Sequence, residues 1–229
     1  MTWDRRQVMQ FQNAVQTYNF PLVGRGFETN ENDIFADVGR LEQYVGGLLK
    51  HDNNIEVKYG LANVLFWGYY NIGYRDVRVA EFMDGCTEEK INLFKGLLQN
   101  NAIPTLNQIK SIKLPQYSGI SFISKILMFL NPMEYCVLDL QILKMRIAGG
   151  ARALDRIVFG ENENQIRVTR HNETCYNSWR AECRSIKNTY FQDMAFRVVD
   201  IERGFFNMIQ NGNIATAIEL YHNCYQKES

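Results

Sequence analysis

Leu114 to Asp139 reads LPQYSGISFISKILMFLNPMEYCVLD, and the order of its parts decides the fold. Leu114-Pro115 opens a turn, an apolar run follows, Asn131-Pro132 breaks the run, and one carboxylate stands after Cys136, Val137 and Leu138. Ile120, Ile123, Ile126, Leu127 and Leu130 recur at helical spacing, which predicts an amphipathic helix. Such a helix buries one face and presents its start, around Ser118 to Ser121, to whatever binds. Asp139 is placed to cap a further helix from Leu140 to Ala148 that ends at Gly149-Gly150. A carboxylate behind an apolar strip, at a helix start, is held rigidly and is partly desolvated.

On either side of this stretch almost every segment carries helical periodicity. Val8, Phe11, Val15 and Tyr18 mark a first helix closed by Asn19-Phe20-Pro21, and Ile34, Val38, Leu41, Val45 and Leu48 mark a second opened by Asn32-Asp33. Val57, Leu61, Val64 and Leu65 mark a third; further helices run from about Arg75 to Met83, from the cap Thr87 to Leu98, and near Leu106 to Ile112. Ile157-Val158-Phe159 and Ile166-Arg167-Val168 flank a turn-rich Gly160 to Asn164, which predicts a small irregular or β-hairpin insertion near 156–170. Met194, Val198, Ile201, Phe205 and Met208 draw one long stripe, Asn211-Gly212-Asn213 ends it, and Ile214 to Tyr221 form a last helix. The fold class is therefore all-α. Residues 1–229 are expected to form a single two-lobed helical domain, with a hairpin lobe at about 75–148 and a second lobe built from 1–72 and 173–229, leaving a cleft.

Hydrophobic residues make up 46% of the 229, enough for a sizeable core and too many for a disordered chain. No apolar run approaches membrane-spanning length, so no membrane partner is expected. Five cysteines at irregular intervals, with no signal peptide, read as reduced thiols in a cytoplasmic protein, and a monomer is expected. A formal net charge of zero counts against a chain that coats nucleic acid nonspecifically but not against a local patch of phosphate contacts.

On Leu114, Pro115, Ser118 to Ser121 and Val137 to Asp139 the chain resembles the helix-hairpin-helix DNA glycosylases, whose signature is a leucine-proline-glycine hairpin, a helix and a valine-proline-aspartate-like turn. The likeness is specific over about 26 residues and extends over the rest by helix order. It implies that backbone amides of Ser118, Gly119, Ile120 and Ser121 hold a DNA phosphate, and that Asp139 supports cleavage of the bond between base and sugar. Two departures stand out: the hairpin is Tyr117-Ser118-Gly119-Ile120-Ser121, and the lysine of bifunctional members is absent there. Lys125 lies a full turn beyond, so the expectation is a monofunctional enzyme without a Schiff-base nucleophile.

Hydrolysis of an N-glycosidic bond develops positive charge on the sugar, and Asp139 can supply the fixed anion that this requires. Its competing role is simply that of an N-cap, and both can hold together. A base taken out of the duplex is held by aromatic faces. Trp67, within Leu65-Phe66-Trp67-Gly68-Tyr69-Tyr70 and ahead of Arg75 and Arg78, is one candidate. Phe122 and Phe206 are others, loosely matching the stacking positions of archaeal 8-oxoguanine DNA glycosylases. Core packing is the alternative for each ring. Asp200 and Glu202 complete the candidate base pocket as readers of exocyclic groups, against the plainer reading of Asp200 and Arg203 as a surface pair. From Lys144 to Arg170 basic residues outnumber acids, and Arg146 and Arg152 head this candidate DNA footprint.

Cys175, Cys183 and Cys224 are too few and wrongly spaced for an iron-sulfur cluster, and His171 near Cys175 gives no zinc set. His51, His171 and His222 lack a partner at triad spacing, and no phosphate-binding glycine loop is present. The expected function is thus that of a DNA glycosylase acting without metal or cofactor on double-stranded DNA that contains a damaged or modified base. Repair or antiviral defence against modified phage DNA would both suit it. The rivals are a noncatalytic helix-hairpin-helix module that binds DNA or protein, and a helical scaffold.

Overall fold

The computed structural model describes residues 2–99, 102–160 and 164–224. Among them are ten α-helices and one two-stranded antiparallel sheet, so the all-α class holds. The chain divides into two compact units, one from the described residues of 1–19 and 133–229, the other Phe20–Pro132. The lobe boundaries expected at 72–75 and 148 fall inside these units: residues 20–72 stand with 75–132, and Met133 to Ala148 with the terminal helices.

The unit Phe20–Pro132 opens with the sheet, β1 (Val23–Gly26) pairing with β2 (Glu31–Ile34) in the register Val23 to Ile34 and Gly26 to Glu31. This corrects the second expected helix, which does not start at Asn32-Asp33. Asn30 takes a left-handed conformation (φ 61°) that turns the chain back, and Ile34 ends 84% exposed in a strand. The helix α2 (Val38–Leu49) begins instead at Asp37, whose carboxylate accepts from the Arg40 amide at 2.8 Å. Asn63, buried on α3 (Asn54–Gly68), anchors the sheet by accepting from Arg25 N at 2.7 Å and donating to Arg25 O at 3.1 Å.

The helices α4 (Arg75–Gly85), α5 (Glu88–Leu97) and α6 (Leu106–Ser111) lie where periodicity puts them, with Thr87 and Thr105 as their caps on α5 and α6. The central α7 (Ile120–Leu130) differs from its expected amphipathic form. Every residue from Ile123 to Leu130 is buried, including Ser124 and Lys125, so the helix is a core element packed on α2 and α3.

Close approach of α2 to α7 depends on Gly46, where an added Cβ would stand 2.6 Å from the Phe129 carbonyl oxygen. Backbone cannot yield as a side chain can, so Gly46→Ala is expected to lower unfolding stability by about 1–3 kcal/mol. Gly47→Ala meets open space and should be neutral or stabilising by up to about 1 kcal/mol from helix propensity. Urea unfolding of the two variants checks the contrast.

In the other unit, α1 (Arg5–Gln16) carries a capping box of Asp4 and Gln7 and packs on α9 (Val198–Gln210) through Phe11, whose ring lies 4.7 Å from that of Phe205. The long C-terminal stripe starts at Val198; Met194 lies in the turn before it. Gly212 (φ 79°) closes α9, and α10 (Ile214–Asn223) follows. The longest helix, α8 (Arg170–Tyr190), has few apolar residues, and these form one face made of Cys175, Tyr176, Trp179, Cys183 and Ile186.

The segment after Asp139 corrects another expectation. A short 3-10 turn, Ile142–Met145, replaces a helix from Leu140 to Ala148. Asp155 accepts from Ile147 N at 2.8 Å and Arg152 N at 3.0 Å, drawing 147–152 into a loop in which Gly149 is left-handed (φ 75°). The insertion near 156–170 is irregular in its described residues, and 161–163 lie outside them. Buried Asn172 ties its two arms, accepting from Val158 N at 3.0 Å and donating to Val158 O and Arg167 O at 2.8 and 3.0 Å.

Candidate functional site

Asp139 follows a buried strap, Cys136 to Leu138, which one face of α8 holds in place. The Tyr176 hydroxyl donates to Cys136 O at 2.9 Å and the Trp179 indole to Val137 O at 3.1 Å; Cys183, a turn further, hydrogen-bonds the Cys136 thiol. Asp139 emerges half-buried, its Oδ1 accepting from Gln141 N at 2.9 Å and Ile142 N at 3.1 Å. These two bonds fix the carboxylate at the head of a turn; the helix it was expected to cap is replaced by the 3-10 turn Ile142–Met145, which no side chain caps.

Within charge range of Asp139 in this unit stands a cluster from α9 and the residues after α1. Glu202 and Arg203 are 4% and 3% exposed, although burying charge costs several kcal/mol per ion unless it is compensated. Arg197 grips Asp200 with two side-chain bonds, at 2.9 and 2.8 Å, and Arg203 approaches the same carboxylate at 3.4 Å. Burial would raise the Asp200 pKa, but the hydrogen bonds and charge of Arg197, helped by Arg203, hold it below the usual carboxylate range.

Arg203 also lies 5.3 Å from the centroid of the Tyr18 ring and hydrogen-bonds the Tyr18 hydroxyl. Phe206 meets Tyr18 edge-on at 6.2 Å, and both rings are partly exposed. Burial pushes the Tyr18 phenol well above its ordinary pKa, with the charges of Glu202 and Asp139 adding to the shift and Arg203 opposing it. Tyr18 thus stays protonated.

Of the residues singled out in the sequence, Phe206 meets Tyr18 and Asp200 meets Arg203, while the charges of Glu202 and Asp139 reach the Tyr18 hydroxyl. Sequence reasoning missed Tyr18, which continues the periodicity of the first helical stripe but lies beyond the end of α1. Asp200 is a clamped ion pair on two arginines and not a free reader of base edges.

Other residues are placed differently. Trp67 is 5% exposed, its indole donates to Pro21 O at 3.1 Å, and Phe20 and Phe129 pack edge-on against it, so it is core and not a pocket wall. Arg152 is not a free phosphate contact: it stacks on Tyr221 at 4.4 Å, donates to Cys224 Sγ at 3.0 Å and lies 3.7 Å from Glu182. Arg146 is exposed, 5.3 Å from the Phe159 centroid.

In the unit Phe20–Pro132, α6 and α7 are joined by a tight turn in which Lys113 (φ 57°) and Gln116 (φ 67°) are left-handed. Such residues persist only where their surroundings impose them. Here the buried Tyr117 hydroxyl donates to Leu61 O, Gln116 Nε2 donates to Glu81 at 2.7 Å, and Lys110 Nζ donates to Ser118 O at 2.9 Å. No side chain caps α7 at Gly119. Phe122 lies 4.2 Å from the Tyr69 ring and 5.2 Å from Lys125 Nζ, which donates to Ser121 O at 3.2 Å.

Among the described residues no group of three or more His, Cys, Asp and Glu is arranged to hold a metal ion. No helix among them is long and apolar enough to cross a membrane. In comparisons with protein-family models, with curated proteins and with solved structures, nothing matches this chain.

Proposed function

We propose that this chain is a monofunctional DNA glycosylase that flips a damaged or modified base out of double-stranded DNA and hydrolyses its N-glycosidic bond through Asp139. The observation that carries the reading is the cluster itself. A carboxylate fixed by two backbone amides lies within charge range of Tyr18, whose ring meets Arg203 and the half-exposed Phe206. The fixed anion stabilises positive charge that develops on the sugar, and it needs no reorganisation to do so. Phe206 offers a stacking face for the flipped base.

The uncapped start of α7 supports phosphate binding, because its first amides and the helix dipole both favour an anion. Exposed Arg146 can extend the footprint. Lys125 is buried and bonded to the Ser121 carbonyl, which supports the absence of a Schiff-base step.

A second reading has an observation of its own: the α6–α7 turn belongs to the unit Phe20–Pro132, which does not contain Asp139. That favours a noncatalytic DNA-binding module. Incubation with a panel of lesion-bearing and modified duplexes, followed by alkaline cleavage, separates the two. Strand breaks at one class of modified base, with no adduct trapped by borohydride, are the expected result. Salt-dependent binding with no cleavage across the panel would replace the enzyme with the module.

A further inference from the structure

Breaking an N-glycosidic bond leaves two charges to be met. The C–N electron pair departs with the base, while the sugar carbon becomes electron-poor and takes the hydroxide of a water molecule, whose proton finally resides on the base. Asp139 answers to the sugar alone. We propose that Tyr18 meets the other charge, donating a hydrogen bond from its hydroxyl to a ring nitrogen or carbonyl oxygen of the departing base; this rests on the glycosylase reading above. Tyr18 itself gains and loses no proton in the step.

The geometry supports the assignment in three ways. Arg203 is a donor only, so its bond to Tyr18 occupies a lone pair of the hydroxyl oxygen and directs the O–H elsewhere. Arg203 is itself anchored by Asp200, and Asp200 by Arg197 in a two-bond grip, so the hydroxyl sits at the end of a fixed chain of charged groups. The partly exposed Tyr18 ring is paired with that of Phe206, which places the hydroxyl beside the proposed stacking face. A phenol kept neutral by burial and by the charges of Glu202 and Asp139 serves as a donor at every working pH.

Tyr18→Phe retains the ring, its contact with Phe206 and its position under Arg203. Single-turnover excision is then compared on the base that the panel identifies and on a ring-fluorinated counterpart, whose departing anion is more stable. The expected loss is about 100-fold on the parent base, the scale of removing one donor to a developing anion. On the fluorinated base it should be several-fold smaller, with DNA affinity unchanged and the variant still folded, its thermal unfolding lowered only by loss of the Arg203 bond. Incorporation of 3-fluorotyrosine at position 18 keeps the hydroxyl and should keep a rate close to wild type.

A loss of equal size on both bases, no loss, or the same loss with 3-fluorotyrosine would assign Tyr18 to packing and overturn the inference alone. Absence of excision by the unmodified protein across the panel would overturn the glycosylase reading, and this inference with it.

Discussion

Asp139→Asn is expected to lower single-turnover base excision by about 10²–10⁴-fold, the usual contribution of a positioned acid–base or charge-stabilising group. The fold should survive, because the asparagine Oδ1 can accept from the same Gln141 and Ile142 amides, at 2.9 and 3.1 Å, that the carboxylate accepts from now. Only the charge is removed. Since that charge acts on a cation that exists in the transition state, the rate constant should fall while affinity for duplex stays within a few-fold. Rate and affinity measured on one preparation check this. An asparagine variant that excises at the wild-type rate would leave Asp139 as the anchor of a turn and nothing more.

The second large effect is on stability. Trp179 is fully buried, packs against Phe205 at 6.0 Å and Tyr221 at 5.5 Å, and donates to the Val137 carbonyl in the strap that delivers Asp139. Trp179→Ala removes the ring from a closed site, at a cost of about 3–5 kcal/mol. The orphaned Val137 carbonyl adds about 1–3 kcal/mol unless water reaches it. Against a total of about 5–15 kcal/mol for a typical domain, the unfolding midpoint should drop steeply. Trp179→Phe keeps most of the ring and loses the hydrogen bond, so it should be less destabilised yet still slower in excision, through a looser strap. Urea unfolding and excision measured on both variants separate packing from positioning; an alanine variant within about 1 kcal/mol of the parent would contradict the core assignment.

The corrections share a pattern. The expected helix start at Asn32-Asp33 failed because a strand pairing formed across a left-handed Asn30 competes with the helical register of Ile34, and pairing depends on a partner strand. The expected helix from Leu140 to Ala148 failed because Asp155, beyond its expected end, captures the Ile147 and Arg152 amides. Trp67 and Arg152 carry the right chemistry for a site and face the wrong way, one towards Pro21 and Phe20, the other onto Tyr221.

The locally encoded features are legible in the sequence: the helical class, the cap at Thr87, the break at Asn131-Pro132 and the stop at Gly212. Each rests on periodicity or on hydrogen bonds that reach no further than one or two turns, which the residues themselves dictate. Tyr18 meets Arg203 and Phe206 across more than 180 residues of chain, and the strap before Asp139 is held from Tyr176 and Trp179. Those contacts exist because helices bury particular faces against one another, and the face a side chain takes depends on the partner surface, which no local pattern contains.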